Sequence, residues 1–363
     1  MSESPIDLVP LRRTLESWIE GRSLSESDAA DVLRALTDTQ LPAALAGGLL
    51  AALQTKGVSA AELRGFPTAM RALARRPQIA PTLHSNAIDI VGTGGDASGS
   101  VNLSTGTALL VAACGVPVIK HGNRSVSSRS GSADVLEQLG LTLPLDETRA
   151  GERLTSTGFT FLFAPHYHPA MKAIAPVRQA LGIRTIFNVL GPLTNPATPP
   201  FALIGAYREE LAELMAETLA GMSGLRRTFV VHGAAGWDEP TPIGPFTLFD
   251  IENGCVRRSV RTPEDYGLPR CTPQALAGGD AIHNAAELAA ALRPERAARE
   301  SINASDTSSQ TSNRVAHRHA LLLGAALALE CAGVATDAAD GIAKAQATIE
   351  SGAAARLVES LRA

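Results

Sequence analysis

The spacing of apolar positions changes character once along the chain, close to residue 88. Ahead of that point, Leu41, Leu45, Leu49 and Leu53 recur every four residues, which lines them along one face of an α-helix. Lys56 and Gly57 follow as a helix stop. Ser59 with Glu62 fits a capping box, in which side chain and backbone satisfy each other's donors at a helix start. An earlier start has two rival registers, Ser23 with Glu26 and Ser25 with Asp28. Residues up to about Arg76 therefore predict helices whose leucine stripe is core.

From Ile88 the runs become short and β-rich. IDIV (88–91), VPVIKH (116–121), FTFLF (159–163), FALIGAY (201–207) and TFVVHG (228–233) read as strands, and helical stretches follow the first, second and fourth. That alternation predicts an α/β domain with a mostly parallel central sheet, whose ligand site lies beyond the carboxyl ends of its strands. The stretch MKAIAPVRQALGIRTIFNVLGPLTNPATPP interrupts the pattern and reads as a helix ending at Gly191 and Pro192. Residues 304–313, ASDTSSQTSN, carry no apolar periodicity and read as a surface loop or a disordered insertion.

Composition narrows the classes. The 363 residues are too many for one compact core, so two domains are expected. With 45% hydrophobic and 19% charged residues the chain reads as globular. A net charge of −4 with 4% aromatic residues argues against nucleic acid as a partner. The apolar run from Thr107 to Ile119 is too short to span a bilayer, and MSESPIDLVPLRR lacks the basic-then-apolar order of a signal peptide. Cys114, Cys255, Cys271 and Cys331 show no CxxC spacing, so a reducing, cytoplasmic setting is expected.

Three clusters carry candidate chemistry. In DIVGTGGDASGSVNLSTGT, Asp89 to Thr107, a strand runs into Gly92, Gly94 and Gly95, and a helix opens near Asn102 to Thr105. Glycines let backbone N–H groups approach an anion, and a helix start adds free donors. A dinucleotide fingerprint competes, since Gly92, Gly94 and Ala97 fit GxGxx(G/A), but the next strand ends in Lys120 and His121 instead of an acidic residue. The second cluster, KHGNRSVSSRSGSADVLEQLG from Lys120, gathers Lys120, Arg124, Arg129 and several serines at a strand end, donors suited to a polyanion. The third is Asp238-Glu239, adjacent carboxylates after a strand, which fit Mg²⁺ if phosphates complete its shell. His166 and His168 have zinc-like HxH spacing without an evident third ligand, so pocket lining or packing is the better reading.

Taken in order, GTGGD, NLST, KHGNRSVSSRSGSADVLEQLG, FLFAPHYHPAMK and PVRQALGIRTIFNVLGPLTNP resemble the anthranilate phosphoribosyltransferase family from about Leu11 onward. That family is itself similar to class II pyrimidine nucleoside phosphorylases, which keeps a phosphorylase as the alternative, along with a paralogue using a substituted anthranilate. The resemblance implies a homodimer with a small all-helical domain, 1–82 with 170–195 returning to it. A larger α/β domain then comprises 83–169 and 196–363. By motif, it implies that Gly92, Gly95, Asp96, Ser100, Asn102, Leu103, Ser104, Thr105, Lys120, His121, Gly122, Asn123, Arg124, Ser125, Val126, Ser127, Ser128 and Ser132 bind phosphoribosyl pyrophosphate. Gly92, Asn123, Arg178 and His168 would contact anthranilate. Ser104, Asp238 and Glu239 would hold Mg²⁺, two ions with substrate bound. No covalent catalyst is implied, and Lys120 and Arg178 would act electrostatically.

Overall fold

The computed structural model describes residues 6–125, 129–295 and 308–362. It opens with four helices, α1 (Leu8–Ile19), α2 (Glu26–Leu36), α3 (Ala43–Lys56) and α4 (Ala60–Leu73). The later of the two registers starts α2, because the Ser25 hydroxyl accepts from the Asp28 N–H at 3.2 Å. At α4 the box is complete: Glu62 N–H donates to Ser59 Oγ at 3.3 Å and Ser59 N–H donates to Glu62 Oε2 at 2.9 Å. Leu41, Leu49 and Leu53 are buried as the stripe requires, although Leu41 lies ahead of α3, whose N-cap is Pro42.

One buried carboxylate organises these helices. Glu62 accepts from Trp18 Nε1 at 2.8 Å, Leu24 N–H at 3.0 Å and the Lys56 ammonium at 2.8 Å. Burial pushes its pKa up, but Lys56 and the N–H groups of Ser59 and Leu24 outweigh burial and hold it below the ordinary carboxylate range.

Seven strands form one sheet: β1 (Ile88–Gly92), β2 (Val118–Gly122), β3 (Phe159–Phe163), β4 (Phe201–Gly205), β5 (Arg227–His232), β6 (Phe246–Glu252) and β7 (Cys255–Arg261). Their order is β3-β2-β1-β4-β5-β6-β7. The first five are parallel, and β6 and β7 add antiparallel. From β1 the chain builds outward to β2 and β3 on one side, and then returns to β4 on the other. The carboxyl ends of β1 and β4 therefore flank a topological switch point, where open α/β sheets bind ligands.

Strands β6 and β7 go beyond the expected set. Six of the seven β7 residues are exposed, and arginines at Arg257, Arg258 and Arg261 break up its apolar alternation. Charge on an edge strand blocks further pairing, and the same charge hides the strand from a hydrophobic pattern. A signal was present in Asn253-Gly254, whose φ values of 52° and 76° form the hairpin turn.

Two further expectations need correction. The helix expected to run to Gly191 spans Met171–Leu181 and stops at Gly182, which takes the left-handed conformation. Two short 3₁₀ turns, Ile186–Asn188 and Gly191–Leu193, carry the chain on. Ile174, Phe187 and Leu190 share an apolar cluster with Leu33, Leu49 and Leu53 of the N-terminal helices. The polar stretch 304–313 is helical from Ser308, as the first turns of the helix Ser308–Cys331, while 304–307 fall outside the described residues. Its buried part, Leu321 to Leu329, nucleates the helix, and adding polar turns costs little once a nucleus exists. No helix among the described residues is long and apolar enough to cross a membrane.

Glu62→Gln keeps the shape of this hub but leaves the Lys56 ammonium, with a side chain only 6% exposed, without its counter-charge. Urea unfolding at neutral pH is expected to show a loss of about 3–5 kcal/mol. Because the folded-state pKa of Glu62 is depressed, the parent's advantage is present above the ordinary carboxylate range and fades as pH falls through it.

Candidate active site

The crevice at the switch point is built from loops that cross strand ends. Beyond β1, Gly94 and Gly95 take φ values of +68° and +78°, a backbone that L side chains rarely adopt. This turn aims the Gly94 N–H at Asp238 Oδ2, 2.6 Å away. The loop carrying Asp238 passes so close to β1 and β4 that a Cβ at Gly92 or Gly205 would collide with Asp238. Beside it, Asp96 accepts from the N–H and hydroxyl of Ser98, both at 3.1 Å.

The second carboxylate reaches the helix that follows the turn. Asn102 caps Leu103–Ala113 without a side-chain capping bond, and Ser104 N–H in the first turn donates to Glu239 Oε1 at 3.1 Å. A free N–H at the positive end of a helix favours an anion there. Leu103 and Thr105 are buried beneath this turn, and the Thr105 hydroxyl has no partner among the described residues. Ser100 lies on the outer side of the turn, bridged to Ala277.

Lys120, 1% exposed in the middle of β2, joins the strands to the crevice. Its ammonium donates to the Ile90 carbonyl and to Ser104 Oγ, the latter at 3.2 Å. Burial lowers its pKa, against the attraction of Asp89, Glu239 and Asp238. Asp89 is pushed up to about 6 by burial, opposed by Lys120 and by Asn195, whose amide donates to it at 2.8 Å. Asp238 and Glu239 are also pushed upward, first by burial, then by Asp96 for Asp238 and by Asp238 for Glu239. Lys120 therefore faces more acidic groups than it can neutralise.

The second loop closes on itself. Ser132 Oγ donates to the Asn123 carbonyl at 3.3 Å, and a Cβ at Gly122 would lie 2.5 Å from that hydroxyl. Ser125 N–H donates to Asp134 at 3.0 Å. The Arg124 guanidinium forks onto Glu137, with Nη2 at 2.6 Å from Oε1, and sits 5.6 Å from the centre of the Phe163 ring. It is thus engaged with the following helix, Ser132–Gln138. Val126, Ser127 and Ser128 lie outside the described residues.

Two histidines pack as a buried T-shaped pair: His121 and His168, with ring centres 5.1 Å apart. Burial depresses both, His121 to about 3 and His168 to about 4, so both rings are neutral at physiological pH. His121 Nδ1 lies 3.2 Å from the Gly191 carbonyl. Arg178, half-buried, stacks over Phe187 at 5.1 Å. The structure thus joins Gly92, Asp96, Ser104, Lys120, Asp238 and Glu239 by direct contact or close electrostatic coupling. Arg178 lies in the last turn of the helix Met171–Leu181, and His168 follows the short helix Ala164–Tyr167.

Sequence reasoning gave no role to two residues here. Asn195 fixes Asp89 and also donates to the Ile119 carbonyl at 2.8 Å. Arg184 donates to the Gly95 carbonyl at 2.8 Å and stacks on Tyr207 at 4.8 Å. Both lie in the motif stretch from Pro176 to Pro196, but only the fold shows that they reach the glycine turn and β1.

The carboxylate pair is suited to a hard cation. Among the described residues no three His, Cys, Asp or Glu side chains are grouped to hold a metal. Two carboxylates and the Ser104 hydroxyl leave most of a shell to other oxygens, which matches Mg²⁺ held partly by phosphate.

Comparison with known proteins gives this geometry a family. A model described as the glycosyl transferase family, a/b domain, matches residues 84–355, and one described as its helical bundle domain matches residues 12–74. These matches make the chain a glycosyl transferase. The anthranilate phosphoribosyltransferase of Synechococcus sp. (strain JA-3-3Ab) is 43% identical over 96% of this chain and 95% of its own. The crystal structure of anthranilate phosphoribosyltransferase from Thermus thermophilus superposes with a TM-score of 0.84 at 39% identity, covering 96% of this chain and 99% of that one. The Saccharomyces cerevisiae enzyme in complex with PRPP and Mg gives a TM-score of 0.82 at 26% identity, covering 98% and 97%. The chain belongs to the anthranilate phosphoribosyltransferase family.

The raised carboxylates carry a stability cost that the cation-free protein should reveal. A carboxyl with a folded-state pKa above its unfolded value stabilises the fold below the unfolded pKa and loses that contribution as pH rises through the folded one. Asp238→Asn with Glu239→Gln removes this loss. The melting temperature of the metal-free double variant is expected to exceed the parent's at pH 8.5 by about 2–4 °C, with the gap closing toward pH 5.

Proposed function

We propose that the protein transfers the 5-phosphoribosyl group of phosphoribosyl pyrophosphate to the amine of anthranilate and releases pyrophosphate. The observation that carries this reading is the meeting of the glycine turn, Lys120 and the Asp238–Glu239 pair at the switch point of the sheet. A turn of N–H groups and a helix start suit phosphate oxygens, and the adjoining carboxylates suit a phosphate-bound divalent cation.

Each segment then has a role. Gly92, Gly95 and Asp96 with the Asn102–Thr105 helix start cradle the donor, and Lys120 faces its negative charge. Asn123 through Ser128, with Ser132, take the pyrophosphate end. Asp238, Glu239 and the Ser104 hydroxyl hold Mg²⁺, two ions when the donor is bound. The metal supplies charge neutralisation for the departing pyrophosphate. Arg178 pairs with the anthranilate carboxylate through its planar fork, with Asn123, Gly92 and His168 around the acceptor.

The amine nitrogen attacks the anomeric carbon as the bond to the pyrophosphate oxygen breaks, that oxygen leaving with the electron pair. The proton released from nitrogen passes to solvent, since an aromatic amine is unprotonated near neutral pH. The chain's contribution is alignment and fixed charge; alignment of two substrates is worth about 7–11 kcal/mol. The same reading makes the enzyme a cytoplasmic homodimer. Its four cysteines are free, and Val9 and Ile19 leave apolar surface on α1. A pyrimidine nucleoside phosphorylase would need one phosphate site, whereas here Asn102 of the first segment donates to the Ser130 carbonyl of the second at 3.1 Å, joining two loops.

Enzyme, Mg²⁺, phosphoribosyl pyrophosphate and anthranilate are expected to consume anthranilate fluorescence. Phosphate-dependent release of base from thymidine or uridine, without that loss, would favour the phosphorylase. A panel of substituted anthranilates ranks the acceptors. Arg178→Ala is expected to raise KM for anthranilate by about 10- to 100-fold, the loss of a charge-assisted pair, while leaving KM for the donor within about twofold. Equal shifts in both would contradict the assignment.

A further inference from the structure

We propose that Asn284 is a positioning residue for the donor site: its amide sets the orientation of the Asn102 amide and so ties the glycine turn to the serine-rich loop. The inference rests on the reading of those two segments as the donor's cradle. Asn284 is 2% exposed, on the first turn of the helix Ala281–Ala291.

The polarity of this contact is forced from both ends. Gly279 N–H, which can only donate, meets Asn284 Oδ1 at 2.7 Å. The NH₂ of Asn284 must then point the other way, and it donates to Asn102 Oδ1 at 2.9 Å. That fixes the Asn102 amide in turn, so its NH₂ donates to the Ser130 carbonyl, which can only accept. Two side-chain amides thus form a one-directional relay from a backbone donor to a backbone acceptor. Reversing either amide would set oxygen against oxygen or N–H against N–H.

The relay starts from the segment that clips the back of the glycine turn. Val101 N–H donates to the Leu276 carbonyl at 3.1 Å, and Gly278 N–H donates to the Gly99 carbonyl at 2.8 Å. A Cβ at Gly278 would lie 2.5 Å from the Ser100 carbonyl oxygen, so the two backbones touch. It ends at Ser130, just ahead of the helix Ser132–Gln138, which packs against Ala281–Ala291. One buried amide therefore sets the spacing between the two segments that grip opposite ends of the donor, without touching the donor itself.

Asn284→Asp separates this role from simple packing. The aspartate still accepts from Gly279 N–H, but it cannot donate to Asn102. The Asn102 amide then turns its NH₂ toward the carboxylate and its oxygen toward the Ser130 carbonyl. Leu292→Ala, a buried truncation at the end of the same helix, serves as the packing control. Steady-state kinetics should show Asn284→Asp raising KM for phosphoribosyl pyrophosphate about tenfold or more, the effect of one misdirected buried hydrogen bond. KM for anthranilate should stay within about twofold, below what one hydrogen bond is worth. Leu292→Ala should lower the melting temperature further than Asn284→Asp while leaving the donor KM unchanged. Asn284→Ala, read the same way, serves if the aspartate variant does not fold. An unchanged donor KM in the Asn284 variant, or a parallel rise for both substrates, would overturn the proposal. A parent protein that fails to use phosphoribosyl pyrophosphate would instead remove the underlying reading.

Discussion

The arrangement turns on a pair of carboxylates held where carboxylates are costly. Asp238 and Glu239 sit at the end of the sheet, each fixed by one backbone N–H, from Gly94 and from Ser104. Burial, with repulsion from Asp96 on Asp238 and from Asp238 on Glu239, favours their protonated forms. A site that only had to be stable would replace them with apolar groups of similar shape. Their presence fits a centre that meets a cation bound along with an anionic substrate, and proteins commonly give up stability at such places.

The local structure follows from keeping that pair in place. The Asp238 loop needs room over β1 and β4, so both strands end in glycine, at Gly92 and Gly205. Lys120 is tied to the Ile90 carbonyl and the Ser104 hydroxyl, and Ser104 N–H to Glu239, so β1, β2, the helix start and the acidic loop are linked through direct hydrogen bonds. Arg184 adds a strut from the 3₁₀-bearing segment to the Gly95 carbonyl, linking the turn to the region that also carries Arg178.

Much of this was legible in the chain, and for local reasons. Ser59 and Glu62 lie three residues apart, and the bonds they make are the bonds their spacing announces. The five parallel strands are buried apolar runs, and glycines at a strand end with a helix to follow mark a phosphate turn. What stayed hidden depends on distance or on mixed patterns. β7 is a charged edge, so its arginines masked the strand despite the Asn253-Gly254 turn. Arg184 meets Gly95 across 89 positions and Asn284 meets Asn102 across 182, and no local spacing rule reaches that far. Arg124 was legible as a cation in a serine-rich loop, but not as one already paired with Glu137.

Calorimetric titration of phosphoribosyl pyrophosphate, with and without Mg²⁺, tests the role of the carboxylate pair most directly. Mg²⁺ is expected to tighten binding to the parent by at least about tenfold, roughly one charge-assisted contact, and that gain is expected to collapse in the Asp238→Asn, Glu239→Gln protein. The same gain in both proteins would contradict that role, since the cation would then be held by the donor alone and the buried acids would have no part in its capture.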